Sequence, residues 1–269
     1  MKKHLELFSG THSFGKITHK MGYEVYSLDR DLGAKCPLGE DYESNNHFKE
    51  DIMTWNYKQF PSGYFDLITA SPVCLWWSSC RNCWIGRKSK TIHPTDIITK
   101  KHLEDDINKY GKPMVDKVRE IIDYFKPKHY LIENPKTGKM KKYITDLPYY
   151  DVDYCKYSNY GYKKSTRFWT NIKNFIPKKC KRDCENMIIV GKQKLHKIGL
   201  INPQAPLLID GKVVRCNTKE KRDKYKRVHS HSIGGGKKYK EVKCVGGGSN
   251  RLERYRIPPK LITELFSNI

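Results

Sequence analysis

The chain has 269 residues, 52 Lys and Arg against 29 Asp and Glu (formal charge +23), and nine cysteines. That length suits one large domain, or one domain and a smaller lobe. No apolar run approaches the roughly 20 residues of a membrane span, and the start, MKKHLELFSG, has neither the apolar segment nor the cleavage site of a signal peptide. The basic surplus points to a polyanion. Nucleic acid ranks ahead of an anionic membrane because no basic amphipathic helix stands out. Nine cysteines without evenly spaced pairs read as thiols in an intracellular, reducing setting, and a monomer is expected.

Residues 4–8, HLELF, predict a short first strand, followed by the turn Ser9-Gly10-Thr11-His12-Ser13-Phe14-Gly15 and a helical spacing over KITHKMGY. Strand, Gly-containing turn and helix is the arrangement of nucleotide-cofactor sites, although G-x-x-x-x-G also serves an ordinary strand-to-helix turn. A second strand runs from Gly22 to Asp31. Its acidic tip at Asp29, about 20 residues past the glycine turn, suits a ribose diol. Residues 32–48 read as a loop, and Glu50-Asp51-Ile52 read as the end of a third short strand.

The fourth strand organises the chain. Phe65-Asp-Leu-Ile-Thr-Ala70 is a buried β-branched run, and Ser71-Pro72 stops it, because proline lacks an N–H and forces the preceding residue out of the helical region. Cys74 is thereby presented just past the C-terminal end of a strand, where open α/β sheets bind ligands. A thiol there is a candidate nucleophile; the competing reading is a cysteine packed as a small hydrophobe.

Residues 80–113 are polar and basic and predict a mobile loop with a short helix. Met114–Phe125 has apolar residues at helical spacing and is stopped by Lys126-Pro127. His129–Pro135 predicts a strand whose tip carries Glu133, Asn134 and Pro135 on the sheet edge that holds Cys74. Asp151–Cys155 alternates as a strand, and Tyr160–Arg167 is a basic turn leading into an aromatic strand that ends at Ile172. Residues 173–256 hold 23 Lys and Arg against 7 Asp and Glu, a surplus of 16 out of the chain's 23, together with two Gly-Gly-Gly runs. This reads as a small lobe or a set of basic loops facing a polyanion. Arg256–Phe266 predicts a helix initiated by proline.

Cys80-x2-Cys83 and Cys180-x3-Cys184 have ligand-like spacings, and His93, His196, Cys216, His229, His231 and Cys244 are available to complete a set. Neither pair is joined to a second at finger-like spacing, so no metal is assigned.

The strand-turn at 8–15, acidic tips at 29 and 51, SPVC at 71–74, ENP at 133–135 and a basic turn ending at Arg167 occur in one fixed order. That ordered set resembles the DNA cytosine-5 methyltransferases, in particular the short members carried by phages and large DNA viruses. The resemblance covers 1–172 and 251–266. It implies S-adenosyl-L-methionine as methyl donor, with Phe8, Gly10 and Thr11 lining it, Asp29 at the ribose, Asp51 and Ile52 at the adenine, Pro72 beside the methyl group, and Arg30 among the cofactor-binding residues. It implies Cys74 as the nucleophile, Glu133 at N3 of cytosine, Asn134 holding the strand tip and Arg167 orienting the base. The chain departs from the family pattern in Val73, where a second proline is usual, and in Leu75, His12, Pro135 and Ser165.

The expectation is an α/β protein with a mostly parallel Rossmann-like methyltransferase sheet over 1–172 plus 251–269 and a small basic recognition region over 173–250. Its expected reaction is methyl transfer to C5 of cytosine in double-stranded DNA, the base flipped out of the helix. Competing readings are an amino-methyltransferase acting on adenine N6 or cytosine N4, which shares the Ser71-Pro72 start but wants an aromatic residue where Cys74 stands; an RNA cytosine methyltransferase; and a non-catalytic nucleic-acid-binding protein on the same fold.

Overall fold

Short β-branched and aromatic runs build a seven-stranded sheet in the order β3-β2-β1-β4-β5-β7-β6. The strands are β1 (Lys3–Leu7), β2 (Glu24–Leu28), β3 (Asn46–Phe48), β4 (Leu67–Ala70), β5 (His129–Pro135), β6 (Tyr149–Asp153) and β7 (Ser165–Thr170). The structure, a computed structural model, describes residues 1–88, 92–190, 193–196, 198–200, 207–209, 212–214, 243–245, 252, 255–267 and 269. Neighbours from β3 through β5 are parallel, and β7 runs antiparallel to β5. Among the described residues the α-helices are α1 (Ser13–Lys20), α2 (Lys100–Asp106), α3 (Lys112–Phe125) and α4 (Pro259–Phe266). This is the mostly parallel Rossmann-like sheet expected from the sequence. None of the described helices is long and apolar enough to cross a membrane.

Strand alternation divides β1 between two layers. Leu5 and Leu7 join Leu28, Ile68, Ala70, Ile132 and the Val115, Val118, Ile121 and Phe125 face of α3 in the main core. Each fully buried Leu, Ile, Val or Phe among them contributes about 1.5–3 kcal/mol. His4 and Glu6 belong to the α1 layer. Glu6 caps the helix start, accepting from the N–H groups of Phe14 (3.0 Å) and Gly15 (3.1 Å), where the helix dipole favours a carboxylate. A Cβ on Gly15 would lie 2.6 Å from that carboxylate and 2.8 Å from the Tyr42 hydroxyl, so the second glycine of the turn serves close packing of helix on strand.

His4 is fully buried between the hydroxyls of Thr18 (Nδ1, 2.7 Å) and Thr69 (Nε2, 2.8 Å). Burial pulls its pKa down to about 3. The unfolded chain protonates near 6.5, so this group costs stability as pH falls below 6.5. His12 acts in the opposite sense: burial lowers its pKa, but Glu6 and the Gly33 carbonyl outweigh burial, and the stability from that raised pKa is lost as pH rises through it. Between pH 7 and 4.5, His4 is expected to remove about 2.5 kcal/mol of stability. Urea unfolding of His4→Gln at the two pH values should show a correspondingly shallower loss, and an unchanged pH dependence would refute this.

Three boundaries differ from expectation. The third strand lies at Asn46–Phe48, where it pairs with Tyr26–Leu28; Asp51 instead opens a turn, its carbonyl accepting from Thr54 and Trp55 N–H. Helix α3 begins at Lys112, with Pro113 in its first turn, and follows α2 through the π-turn Ile107–Gly111; it ends at Lys126, which takes the left-handed φ of 47°. Arg167 stands inside β7, because Ser165–Thr170 pairs with β5 over the whole ENP tip.

Two compact units divide the chain. The first holds Met1–Asp151, Ser165–Ile176 and Ile262–Ile269; the second holds Val152–Lys164 and Pro177–Leu261. Residues 152–164 thus group with the basic segment, and the bonds say why: Asp153 accepts from Cys180 N–H (2.7 Å), and the Asn186 side chain binds the carbonyls of Cys155 (3.0 Å) and Ser158 (2.7 Å). Among its described residues the second unit contains three strand pairs: β8 (Met187–Val190) antiparallel to β9 (Gln193–His196), β11 (Leu207–Ile209) antiparallel to β12 (Lys212–Val214), and β10 (Ile198–Leu200) parallel to β13 (Lys243–Val245).

Candidate active site

The sheet brings the two proline-marked tips side by side. Ala70 of β4 pairs with Ile132 of β5, so the Ser71–Cys74 turn and Glu133-Asn134-Pro135 leave the same edge as neighbours. A hydrogen bond joins them: the Asn134 side-chain amide donates to the Pro72 carbonyl (2.9 Å). Ser71 N–H still bonds Leu7 O (3.2 Å), after which Pro72 ends the ladder; the Cys74 carbonyl accepts from Trp77 N–H (3.2 Å), which closes a tight turn over Cys74–Trp77. Further along, Lys139 N–H bonds the Trp77 carbonyl (2.7 Å) and the Ser79 hydroxyl donates to the Thr137 carbonyl (2.5 Å). The Cys74 turn and the segment after Glu133 therefore form one cross-braced edge.

Cys74 is partly exposed and flanked by exposed Val73 and Leu75. Glu133 is buried at 7% exposure, and Asn134 is nearly inaccessible. The Asn134 side-chain carbonyl has no protein partner.

Arg167 is placed opposite Asn134 across β5 and β7, while Phe168 is opposite Glu133. Its guanidinium makes a two-point pair with Asp151, Nε to Oδ1 at 2.8 Å and Nη2 to Oδ2 at 3.1 Å, and lies 3.5 Å over the Tyr149 ring. Lys136 Nζ adds a contact to Asp151 at 3.1 Å. Burial raises the Asp151 pKa, but Arg167 and Lys136 together hold it below the ordinary carboxylate value. Asp151 and Tyr149 were not singled out from the sequence. The alternation of β6 and its acidic residue opposite a basic strand carried the only signal.

The cofactor-motif residues occupy the adjacent edge at the ends of β1, β2 and β3. Phe8, Gly10 and His12 all have left-handed φ, 55°, 50° and 52°, so the turn curls tightly at Gly10-Thr11. Asp29 fixes that turn: Oδ2 accepts from Gly10 N–H (2.9 Å), and Oδ1 accepts from Asp31 and Leu32 N–H (2.9 Å each). An ionised carboxylate offers about four acceptor positions, so one remains for a further donor. Arg30 lies between acids, Nε 3.2 Å from Asp31 and Nη1 3.6 Å from Asp51, and Ile52 is buried behind them. Asp51 also takes the Met53 N–H at 3.0 Å. Thr11 is buried, its hydroxyl 2.9 Å from that of Ser13; the buried Ser9 hydroxyl has no protein partner. The His12 ring is fully buried, with Nε2 2.9 Å from the Gly33 carbonyl and Nδ1 3.7 Å from Glu6. It is thereby turned toward protein groups. A left-handed turn, two acidic tips, a spare acceptor on Asp29 and an unsatisfied Ser9 hydroxyl fit the hydroxyl and amino groups of an adenosyl cofactor.

The segment 80–113 holds the expected short helix, α2, and side-chain pairs that brace it. Residues Ser79–Trp84 form a 3₁₀ turn, and Arg81 is buried and paired with Asp106, which His93 Nε2 also contacts at 3.1 Å. Trp76 stacks on Tyr110 with 4.6 Å between ring centroids. Cys80 and Cys83 are both exposed.

The sheet order, the antiparallel β7, the glycine turn and the acidic strand tips define a Rossmann-like α/β protein built to hold a nucleotide-type cofactor. Comparison with known proteins narrows that class. No family model matches the chain. It is 34% identical over 267 residues to the probable DNA (cytosine-5)-methyltransferase of Frog virus 3 (isolate Goorha), covering 97% of each chain. The protein thus belongs to the family of S-adenosylmethionine-dependent DNA (cytosine-5)-methyltransferases. Solved structures similar to it include the Entamoeba histolytica methyltransferase EhMeth (13% identity, 99% of this chain and 98% of that one, TM-score 0.46) and the S. pombe Dnmt2 methyltransferase (14%, 99% and 97%, TM-score 0.42).

Proposed function

We propose that the protein transfers a methyl group from S-adenosyl-L-methionine to C5 of a cytosine flipped out of duplex DNA, through a covalent bond between Cys74 and C6 of the base. The observation that carries this reading is the Asn134-to-Pro72 hydrogen bond, which ties the turn of Cys74 to the strand tip of Glu133.

The chemistry needs both groups at one place. C5 of cytosine is a weak nucleophile. The Cys74 thiolate adds to C6, and the ring electrons move toward N3, where Glu133 supplies a hydrogen bond or a proton. C5 is then an enamine carbon able to attack a methyl group. Bound S-adenosylmethionine supplies that methyl group as a sulfonium. Loss of the C5 proton expels the Cys74 thiolate and restores the aromatic ring, so the nucleophile is regenerated. Asn134 acts as a positioning residue, holding Pro72 and hence the reach of Cys74. Arg167, held by Asp151, lines the same tip and orients the base. The exposed Val73 and Leu75 give the turn an apolar rim against the flipped base. The cytosine must leave the stack for this, which costs a few kcal/mol.

Phe8, Gly10, Thr11, Asp29, Arg30, Asp51, Ile52 and Pro72 bind the cofactor in this reading. Asp29→Ala removes the acceptor that holds Gly10 and its one spare position. It is expected to weaken S-adenosylmethionine binding at least about 10-fold, the worth of a charge-assisted hydrogen bond. Calorimetry measures this, and an unchanged affinity would refute the assignment. The basic surplus of 173–256 supplies phosphate contacts, which makes binding steeply salt-dependent.

The test of the reaction is incubation of the protein and labelled S-adenosylmethionine with random-sequence duplex DNA and, separately, with RNA, followed by nucleoside analysis. 5-Methylcytosine from DNA supports the proposal. N4-methylcytosine or N6-methyladenine, 5-methylcytosine from RNA alone, or no transfer with retained DNA binding would each replace it by the corresponding alternative.

A further inference from the structure

In the second unit, far apart in sequence, Cys155, Cys180, Cys184 and His196 bring one ligand atom each to within 4.8 Å of one another. We infer that these four side chains form a closed structural zinc site, separate from the methyl-transfer chemistry.

The distances are those of a metal shell. Zn–S bonds of about 2.3 Å and Zn–N bonds of about 2.0–2.1 Å at tetrahedral angles put nitrogen and sulfur about 3.6 Å apart. His196 Nε2 lies 3.7 Å from Cys180 Sγ and 3.5 Å from Cys184 Sγ. All three cysteines are free thiols. A disulfide joins only two sulfurs and leaves the third thiol and the imidazole unexplained, whereas a metal uses all four. Three thiolates and one imidazole select zinc among divalent ions, and four protein ligands leave no position for water, so the site is structural.

The local fold is built to deliver these ligands. Cys155 sits in the 3₁₀ turn Tyr154–Lys156. Cys180 and Cys184 flank a tight turn in which Arg182 takes a left-handed φ of 67°. That turn aims the backbone N–H groups of Arg182 and Asp183 at the Cys180 sulfur and so fixes its position. The β8–β9 hairpin pairs Met187 with His196, which returns the imidazole to within reach of Cys184. Around these ligands, Asp153 accepts from Cys180 N–H and pairs with Lys163 at 3.2 Å, and Lys163 Nζ also reaches the Cys180 carbonyl at 3.3 Å. Such an outer layer orients ligands, and its cations offset the net negative charge of a three-thiolate zinc centre. The Asn186 side chain ties its own strand start to the 155–161 segment through bonds to Cys155 O, Ser158 O and Gly161 N–H. A segment as rich in charge as 173–256, with 23 Lys and Arg and 7 Asp and Glu, is where a metal adds most to folding.

Zinc content is measured on the full-length protein purified under reducing conditions from zinc-supplemented medium. About one zinc per chain is expected. The Cys80→Ser/Cys83→Ser double variant should keep it, while Cys184→Ser and His196→Ala should each fall severalfold. Because the latter variants can unfold the unit, a second measurement uses the unaltered protein. Stripping the metal with a chelator should expose three additional thiols to a thiol reagent, and cobalt(II) should restore their protection with the intense visible absorption of a tetrahedral thiolate site. Zinc below about 0.1 per chain in folded protein, thiols equally reactive with and without chelator, a Cys180–Cys184 disulfide in peptide maps, or zinc that leaves with Cys80 and Cys83 would each overturn the site.

Discussion

Cys74→Ser is expected to lower methyl transfer at least about 1,000-fold while leaving S-adenosylmethionine affinity within about twofold, because a serine hydroxyl is a far weaker nucleophile than a thiolate at neutral pH. The exchange is nearly isosteric and leaves the turn intact. The turn rests on the Cys74 carbonyl, which accepts from Trp77 N–H, and on the Asn134-to-Pro72 bond, neither of which uses the sulfur. Cys74 is also only partly buried, so the lost packing is small. Cofactor binding belongs to the ends of β1, β2 and β3 and should persist in calorimetry. Equal turnover by the variant would end the assignment of Cys74, and a parallel loss of cofactor binding would mark the cysteine as structural.

Glu133→Gln tests the other half of the site. Glutamine keeps the shape of a side chain that is 7% exposed and sits in the middle of a β5–β7 pairing, so the sheet should survive. An amide donates a hydrogen bond but cannot give up a proton to N3. The expected result is a fall in kcat of about 100- to 10,000-fold, the range of general-acid catalysis, with little change in S-adenosylmethionine affinity. An unchanged kcat would remove Glu133 from the chemistry. A rise in KM for DNA at constant kcat would reduce its role to binding.

The strands β1, β2, β4, β5 and β7 and the points where β4 and β5 end were legible because each rests on local rules. Proline after a buried β-branched run fixes where β4 ends, and therefore where Cys74 is presented; the same device at Pro135 marks the tip of β5. That the two tips are neighbours depends on the β4–β5 pairing and on the Asn134 side chain, and a single sequence leaves both open. Glu6 illustrates what local pattern hides. An acid inside a strand reads as a solvated charge, but here it caps α1 from below and requires Gly15 for clearance. The acidic tip of Glu50-Asp51-Ile52 predicts a third strand that ends four residues late, whereas pairing with Tyr26–Leu28 decides for Asn46–Phe48. Arg167 was expected as a base-orienting group at the end of a turn; long-range pairing with Asp151 and stacking on Tyr149, both distant in sequence, set its actual surroundings. Cys155 lies 25 residues before Cys180, so spacing rules that find Cys180-x3-Cys184 cannot add it. Cys216, His229 and His231, which were available as ligands from the sequence, fall outside the described residues.

The most direct test of the covalent mechanism uses random-sequence duplex DNA carrying 5-fluorocytosine in place of cytosine, together with S-adenosylmethionine. Fluorine at C5 cannot leave as a cation, so an enzyme that has added to C6 and transferred its methyl group is trapped on the base. The account predicts a denaturation-resistant protein–DNA adduct, with peptide mass spectrometry placing the bond on Cys74. Methyl transfer to ordinary cytosine DNA with no adduct on the fluorinated duplex, or an adduct mapped to another residue, would contradict it.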